Sequence, residues 1–368
     1  MKALYIGLMS GTSADGVDAV LVEIDHNDHF KLVDTLAVNY SPDFRQRLLH
    51  LALADQIQRT EIGSISYLLS QQFADACNKL LQRNKLAPHK ISAIGSHGHT
   101  IDHAPESNTP YSVQIGDHSL IAEKTGITTI ADFRSRDIAA GGQGAPLVPA
   151  FHQWLFRQAP AHSAILNIGG ISNITVLQKS ISKGYDCGPG NCLIDSWHQQ
   201  NTGENFDSEG QHARKGTLIP VLLNSMRSDS FFQQPPPKST GREHFNLSWL
   251  QKHLTALDGD FSWQDVARTL VELTAVLNIE TSQKEACQQI YLCGGGSHNQ
   301  FLVERMSLLA KEINISINNT QALGLDVDWV EASAFAWLAH QTLSGLPGNL
   351  PTATGAKGRR ILGAIYPA

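Results

Sequence analysis

No stretch of this 368-residue chain approaches the roughly 20 consecutive apolar residues that a bilayer crossing needs, although 42% of its residues are apolar. The opening MKALYIGLMSG reads as a strand and not as a secretory leader, so a cytoplasmic location is expected. Lysine and arginine form no sustained run and the formal charge is −6, which argues against nucleic acid or an anionic membrane as partner. Cysteine is scarce: Cys77, Cys187, Cys192, Cys287 and Cys293 are odd in number and show no CxxC spacing, so reduced thiols are expected and disulfides are not. There is no GxxxxGK[ST] and no GxGxxG, so neither a P-loop nor a dinucleotide fingerprint accounts for the glycines. Low-complexity tracts and solenoid-type repeats are also absent.

What the chain has instead is three small, glycine-bearing turns set in apolar strands, at residues 4–24, 165–177 and 290–297. In the first, Ser10 is followed by Gly11, Thr12, Ser13, Ala14, Asp15, Gly16, Val17 and Asp18. Two glycines there permit positive φ and let backbone N–H groups converge on an anion. The hydroxyls of Ser10, Thr12 and Ser13 add donors for a phosphate, and Asp15 and Asp18 suit one only with a divalent cation between. Taken alone, such a turn is equally an ordinary hairpin. The design returns at Gly169 and Gly170, followed by Ser172, Asn173 and a second strand, which predicts two lobes of similar topology facing one cleft. The third turn, Gly294, Gly295 and Gly296, opens a helix over 300–311; three bare glycines let a flat ring approach the backbone, or simply make a compact connection.

Strands and helices alternate along the chain. Strands at 3–9, 19–24 and 31–38 read as a meander, with helices at 43–54 and 62–83, strands at 91–95, 111–115 and 128–131, and a short helix near 119–124. A second lobe is expected after Asp132, with a helix at 147–157, strands at 164–168 and 174–177, and a largely helical remainder that includes 192–202, 218–225, 263–281 and 330–343. The Pro-rich stretch 233–238 reads as a surface connection. Asp186 precedes the rigid turn Gly188, Pro189, Gly190, Asn191, which would set its carboxylate at the head of the helix from 192; there it reads either as an ionised base or as a capping residue. The cluster GSHGHTIDH at 95–103 reads either as zinc ligands or as part of a binding surface.

Six blocks in order carry a resemblance over essentially the whole chain: MSGTSADGVDAVL (9–21), IGDHSLIAEKTGITTIADFRSRDIAAGGQGAPLVPAFH (115–152), LNIGGISNITVL (166–177), YDCGPGNCLIDSW (185–197), PKSTGREHFN (237–246) and GLPGNLPTATGA (345–356). The chain resembles the anhydro-N-acetylmuramic acid kinases, sugar kinases of the actin, hexokinase and heat-shock ATPase superfamily. The resemblance implies an α/β, two-lobed actin-like ATPase (ribonuclease H-like) fold, with mixed sheets flanked by helices and an interlobe active-site cleft. It places residues 1–132 plus roughly 333–368 in the first lobe and 133–332 in the second, with the helix near 330–343 packing back on the first. It implies ATP and Mg²⁺ as cofactors, a sugar substrate and a homodimer. Residues 11–18, Gly169, Gly170 and 294–296 become nucleotide-binding, and Asp186 the catalytic base, here followed by Cys187 where relatives often have Thr. His97 and Thr100 fall in a block that lines the sugar site, and Glu331 is a candidate for a sugar hydroxyl. Arg134 is the candidate for the substrate's lactyl carboxylate, although Arg134 and Arg136 could equally pair with Asp132 and Asp137. The implied reaction opens the 1,6-anhydro ring with water and phosphorylates O6, giving N-acetylmuramic acid 6-phosphate and ADP in peptidoglycan recycling. An actin-type ATPase switch would share the three glycine turns but has no use for DxGPGN or the arginines. A sugar sensor on this fold would be expected to carry a DNA-binding segment, and none is visible; a hexose kinase using a free 6-hydroxyl stays within the enzyme class.

Overall fold

The first apolar run becomes β1 (Lys2–Met9), whose last five residues are all buried, as befits a central strand covered on both faces. In a computed structural model describing residues 2–25, 29–54, 56–177 and 182–368, it is followed by β2 (Gly16–Asp25), β3 (Phe30–Asn39), β4 (Ile91–Ser96), β5 (His99–Ala104), β6 (Tyr111–Ile115) and β7 (Thr129–Ala131). Further along come β8 (Ser163–Ile168), β9 (Ile171–Leu177), β10 (Lys183–Pro189), β11 (Gln289–Cys293), β12 (Ser316–Asn319) and β13 (Ala364–Tyr366). One sheet has the order β13-β7-β4-β1-β2-β3 and another β10-β9-β8-β11-β12, with β5 and β6 a separate hairpin. This is an α/β fold with mixed sheets.

The two large sheets share a topology that the paired glycine turns predict. In the first, β1-β2 and β2-β3 are antiparallel while β1-β4 and β4-β7 are parallel. In the second, β8-β9 and β9-β10 are antiparallel while β8-β11 and β11-β12 are parallel. A meander of three strands, then parallel additions beyond its first strand, has been built twice.

The chain divides into one unit of Met1–Leu155 with Trp329–Ala368 and another of Phe156–Asp328. The expected boundary after Asp132 therefore moves to residue 155. The reason is aromatic: on the helix Val148–Leu155, Phe151 and Trp154 lie 6.0 Å and 5.9 Å from the Trp337 ring, and Phe30 lies 5.9 Å from Phe151. Other differences have local causes. β10 contains Gly184, Gly188 and Pro189 and reads as a turn; β12 is four residues long and mostly polar; β5 and β13 are edge segments with little periodicity.

The helix Val330–Leu343 packs on the first sheet through two register-paired glycines. A Cβ at Gly7 would stand 1.9 Å from the carbonyl oxygen of Ala332, and one at Gly95 would stand 2.0 Å from that of Phe335. The helix meets this flat spot with small residues, Ala332, Ala336 and Ala339. We expect Gly7→Ala and Gly95→Ala each to lower stability by at least ~2 kcal/mol, because neither backbone can retreat without shifting a whole element; the midpoint of urea unfolding measures this, and an unchanged midpoint would refute the close approach.

Candidate active site

The turns singled out in the first unit leave the carboxyl ends of its parallel strands, where open α/β sheets present their ligand sites. After β1, Ser10 is buried: the Tyr40 hydroxyl donates to its Oγ at 2.8 Å, and His99 Nδ1 lies 3.0 Å from the same oxygen. Burial raises the Tyr40 pKa well above its ordinary value, with the charge of Asp18 acting in the same direction. The turn closes by Ala14 N–H donating to Gly11 O at 3.0 Å and Tyr40 N–H to Asp15 O at 2.9 Å. The expected positive φ at Gly11 and Gly16 is not found. Ala14 takes the left-handed conformation, at φ 54°, with its methyl fully buried. Gly16 is required for space, since a Cβ there would lie 2.4 Å from Val38 O. Thr12 and Asp15 are exposed, and Asp15 meets Arg45 Nε at 3.2 Å. Val17 is buried and Asp18 half-buried at the start of β2.

After β4, His97 N–H donates to Leu8 O at 3.0 Å, which fixes the ring's root. Arg134 donates to His97 Nε2 from Nε at 3.3 Å and from Nη2 at 2.8 Å, and to Gly144 O from Nη1 at 2.7 Å. A guanidinium has donors only, so Nε2 accepts and the ring's proton sits on Nδ1. Asp132, at φ 55°, makes the sharp turn after β7 that carries Arg134 to this position. The Phe335 ring packs tilted against that of His97, with centroids 4.7 Å apart. Thr100 Oγ1 accepts from Gln114 Nε2 at 3.1 Å across the β5-β6 hairpin. Glu331 stands half-buried in the first turn of Val330–Leu343 and so belongs to this unit, not to the second.

The alternative pairing of arginines with Asp137 does not occur. Asp137 is fully buried and accepts from Gly144 N–H (2.8 Å), Asn349 Nδ2 (2.7 Å) and Thr354 Oγ1 (2.8 Å). Through these bonds the GLPGNLPTATGA block ties the segment around 137–144 to the chain's last stretch. The cluster at 95–103 is likewise dispersed, with His97 on Arg134, His99 on Ser10, His103 Nδ1 3.0 Å from Ser112 Oγ and Asp102 accepting from Tyr111.

In the second unit, the same end of the sheet collects the remaining residues. Gly169 and Gly170 connect β8 to β9, and their carbonyls accept from Asn191 N–H (2.9 Å) and from Gly190 and Cys192 N–H (2.9 and 3.0 Å). The hairpin therefore holds the start of the helix Cys192–Thr202. Gly190 has no room for a Cβ, which would meet Gly169 O at 2.3 Å. Among the three later glycines only Gly295 faces open space; a Cβ at Gly294 would meet Asn167 Oδ1, and one at Gly296 would meet Ile168. Gly294 also needs its φ of 79°.

Asp186 lies within β10 and not in the turn before the helix. It is buried; its Oδ2 accepts from Thr240 N–H at 2.9 Å and its own N–H donates to Lys238 O at 3.1 Å. Across the sheet it is in register with Asn173, Asn173 with Asn167, and Asn167 with Cys293. Lys238 is buried too, donating to Phe231 O at 3.0 Å with its ammonium over the Phe231 ring; burial lowers its pKa, and the charge of Asp186 opposes that. Cys187 is a buried thiol whose pKa burial pushes up, assisted by the charge of Asp186. Sequence reasoning missed Tyr40, Lys238, Thr240 and Asn167 and gave Asp137 and Asn173 no such role; the blocks at 115–152, 166–177 and 237–246 contain all of these except Tyr40.

A family model described as anhydro-N-acetylmuramic acid kinase matches residues 3–368. Proteins of that name are similar over the full length: one from Nitrosomonas europaea is 47% identical over 369 residues, covering 99% of each chain. One from Pseudomonas fluorescens is 47% identical over 371 residues, again covering 99% of each. One from Photobacterium profundum is 46% identical over 374 residues, covering 99% of this chain and 98% of its own.

Burial also sets the pH response of the first unit. It lowers the pKa of His97 well below its ordinary value, aided by the Arg134 charge, and lowers His103 and His118 to about 4 and His152 to about 3. All four are neutral when folded and gain a proton near pH 6.5 when unfolded. The stability that comes from burying them uncharged is complete above that pH and is lost as pH falls toward the folded values. We expect the unfolding free energy from urea titration to drop between pH 7 and pH 5, by up to ~1.4 kcal/mol per pH unit for each histidine; a free energy that rises over that interval would contradict it.

Proposed function

This chain belongs to the anhydro-N-acetylmuramic acid kinase family, and from that premise we propose how its residues divide the work of the reaction. The protein is an ATP-dependent kinase of cell-wall recycling that phosphorylates 1,6-anhydro-N-acetylmuramic acid. In this sugar O6 is bridged to C1, so no free 6-hydroxyl exists until the ring opens. Asp186 takes a proton from a water that attacks C1; the C1–O6 bond breaks, O6 bonds to the γ-phosphorus of ATP, and ADP leaves. Ring opening and transfer assist each other, because the charge that develops on O6 is drawn onto phosphorus as it forms. The products are N-acetylmuramic acid 6-phosphate and ADP.

The observation that carries the base assignment is the carboxylate of Asp186, buried within β10 and oriented by the Thr240 backbone N–H. A general base works from a held orientation near its proton, and the main-chain donor of Thr240 supplies one. The turn 11–18 and the hairpin at Gly169 and Gly170 are read as phosphate cradles, and the open face at Gly295 as the place for adenosine. Arg134, oriented by His97 and Gly144, is read as the partner of the lactyl carboxylate: a planar cation held on two sides grips a carboxylate with little further ordering. His97, Thr100 and Glu331 would then contact the sugar. Mg²⁺ fits the donors offered, since Asp15 is exposed and Asp18 half-buried beside the phosphate turn, and both are hard oxygen ligands. When bound, it would neutralise phosphate charge. A cytoplasmic homodimer is the form we infer; the five cysteines are all free and buried, which suits a reducing compartment.

With ¹⁸O-labelled water, mass analysis of the product should find one label on the anomeric carbon and none in the phosphate; an unlabelled sugar would remove water from the reaction. Asp186→Asn should lower kcat by about 10²–10⁴-fold with ATP affinity little changed, whereas near-normal turnover would take Asp186 out of the base role. Arg134→Lys should raise KM for the anhydro sugar by ~10-fold or more and leave KM for ATP alone; equal effects on both substrates would deny it a role in sugar binding.

A further inference from the structure

The histidines that gather at ligand spacing are not those that the sequence makes conspicuous. His198, on the helix Cys192–Thr202, and Asp207 and His212, in the loop after it, each bring one ligand atom to within 4.8 Å of the others. The loop is built to return. The helix ends at Gly203, in the left-handed conformation at φ 79°, and Gly210 reverses the chain again at φ 71°. Asp207, buried, closes the loop by accepting from His212 N–H at 3.0 and 3.1 Å and from Ala213 N–H at 2.9 Å. The His212 ring then stacks on His198 with centroids 5.2 Å apart, and the edge of Trp263 closes on both, at 6.1 Å from His198 and 5.3 Å from His212.

Packing alone explains this cluster poorly. His198 is 1% exposed, yet neither of its ring nitrogens has a hydrogen-bond partner, and neither does His212 Nδ1. Unpaired polar atoms in such a place are costly, and stacking two imidazoles relieves neither. A cation that accepts a lone pair from each ring would satisfy one nitrogen of each.

We propose that His198, Asp207 and His212 form a structural zinc site, with Glu204 as fourth ligand. Glu204 Oε2 lies 3.6 Å from His198 Nε2 on an exposed side chain, and Asp207 Oδ1 lies 3.7 Å from His212 Nδ1. Two imidazole nitrogens and two carboxylate oxygens suit Zn²⁺ and do not suit Mg²⁺, which demands an oxygen shell. Tetrahedral ligands ~2.0–2.1 Å from zinc stand ~3.4 Å apart, so the observed spacing contracts by about 1 Å on binding. Four protein ligands leave no open position, so the ion clips the 203–212 loop to its helix and takes no part in phosphoryl transfer.

The test uses full-length protein stripped with a chelator and then freed of it. Titration with ZnCl₂ should show one equivalent bound and a raised melting midpoint. Co²⁺ in its place should give the visible bands of a tetrahedral nitrogen and oxygen site, with no thiolate charge-transfer band. The His198→Gln/His212→Asn double variant should bind zinc at least ~10-fold more weakly while keeping its turnover with ATP and Mg²⁺. Glu204→Gln, at an exposed position that folding does not depend on, should weaken zinc binding as well. If Glu204→Gln and the double variant both bind zinc as the unaltered protein does, or if cobalt reports thiolate ligation, the proposal is overturned.

Discussion

The first unit depends on one close approach. Helix Val330–Leu343 lies against β1 and β4 because Gly7 and Gly95, side by side in the sheet, present bare backbone to its carbonyls. That distance sets the depth at which Phe335 sits, and Phe335 touches both His97 and Phe133. His97 in turn holds Arg134. A side chain at either glycine would lift the helix and, with it, the residues that orient the arginine. Stability and site geometry are therefore carried by the same few atoms, and residues distant in sequence, 7, 95 and 335, act as one element.

A second regularity is the repeated topology. Both sheets run a three-strand meander and then add parallel strands on the far side of the first, and in both the loops that carry polar residues leave the carboxyl ends of parallel strands. The two copies have diverged in how they make their turns. In the first unit a buried alanine takes the strained conformation and a glycine clears space; in the second the hairpin carbonyls of Gly169 and Gly170 cap an incoming helix. The shared requirement is a short, small-residue connection between adjacent antiparallel strands.

Much of this was legible beforehand, for stated reasons. A long periodic element such as the helix near 62–83 announces itself because its burial follows its own spacing. Asp186 was picked out by its neighbours in the chain, but its setting was misread: a Gly- and Pro-bearing stretch that looks like a turn is pulled into the sheet by its ladder with β9. The glycines were recognised and their reason was not, since Gly16 and Gly294 are required by atoms at Val38 and Asn167 that local sequence cannot bring near. The same holds for Asp137, two of whose partners, Asn349 and Thr354, lie more than 200 residues away.

By itself the amino-acid sequence determined the class of the fold, the three glycine turns, the family and the aspartate on which the chemistry is proposed to rest, because these depend on residue type and short-range order. Only the tertiary structure decided which glycines are steric necessities, where the first unit ends, that Arg134 donates to His97, and that His198, Asp207 and His212 converge. Each of these turns on contacts between segments far apart in the chain or on the way a loop closes, and such distances are set by packing.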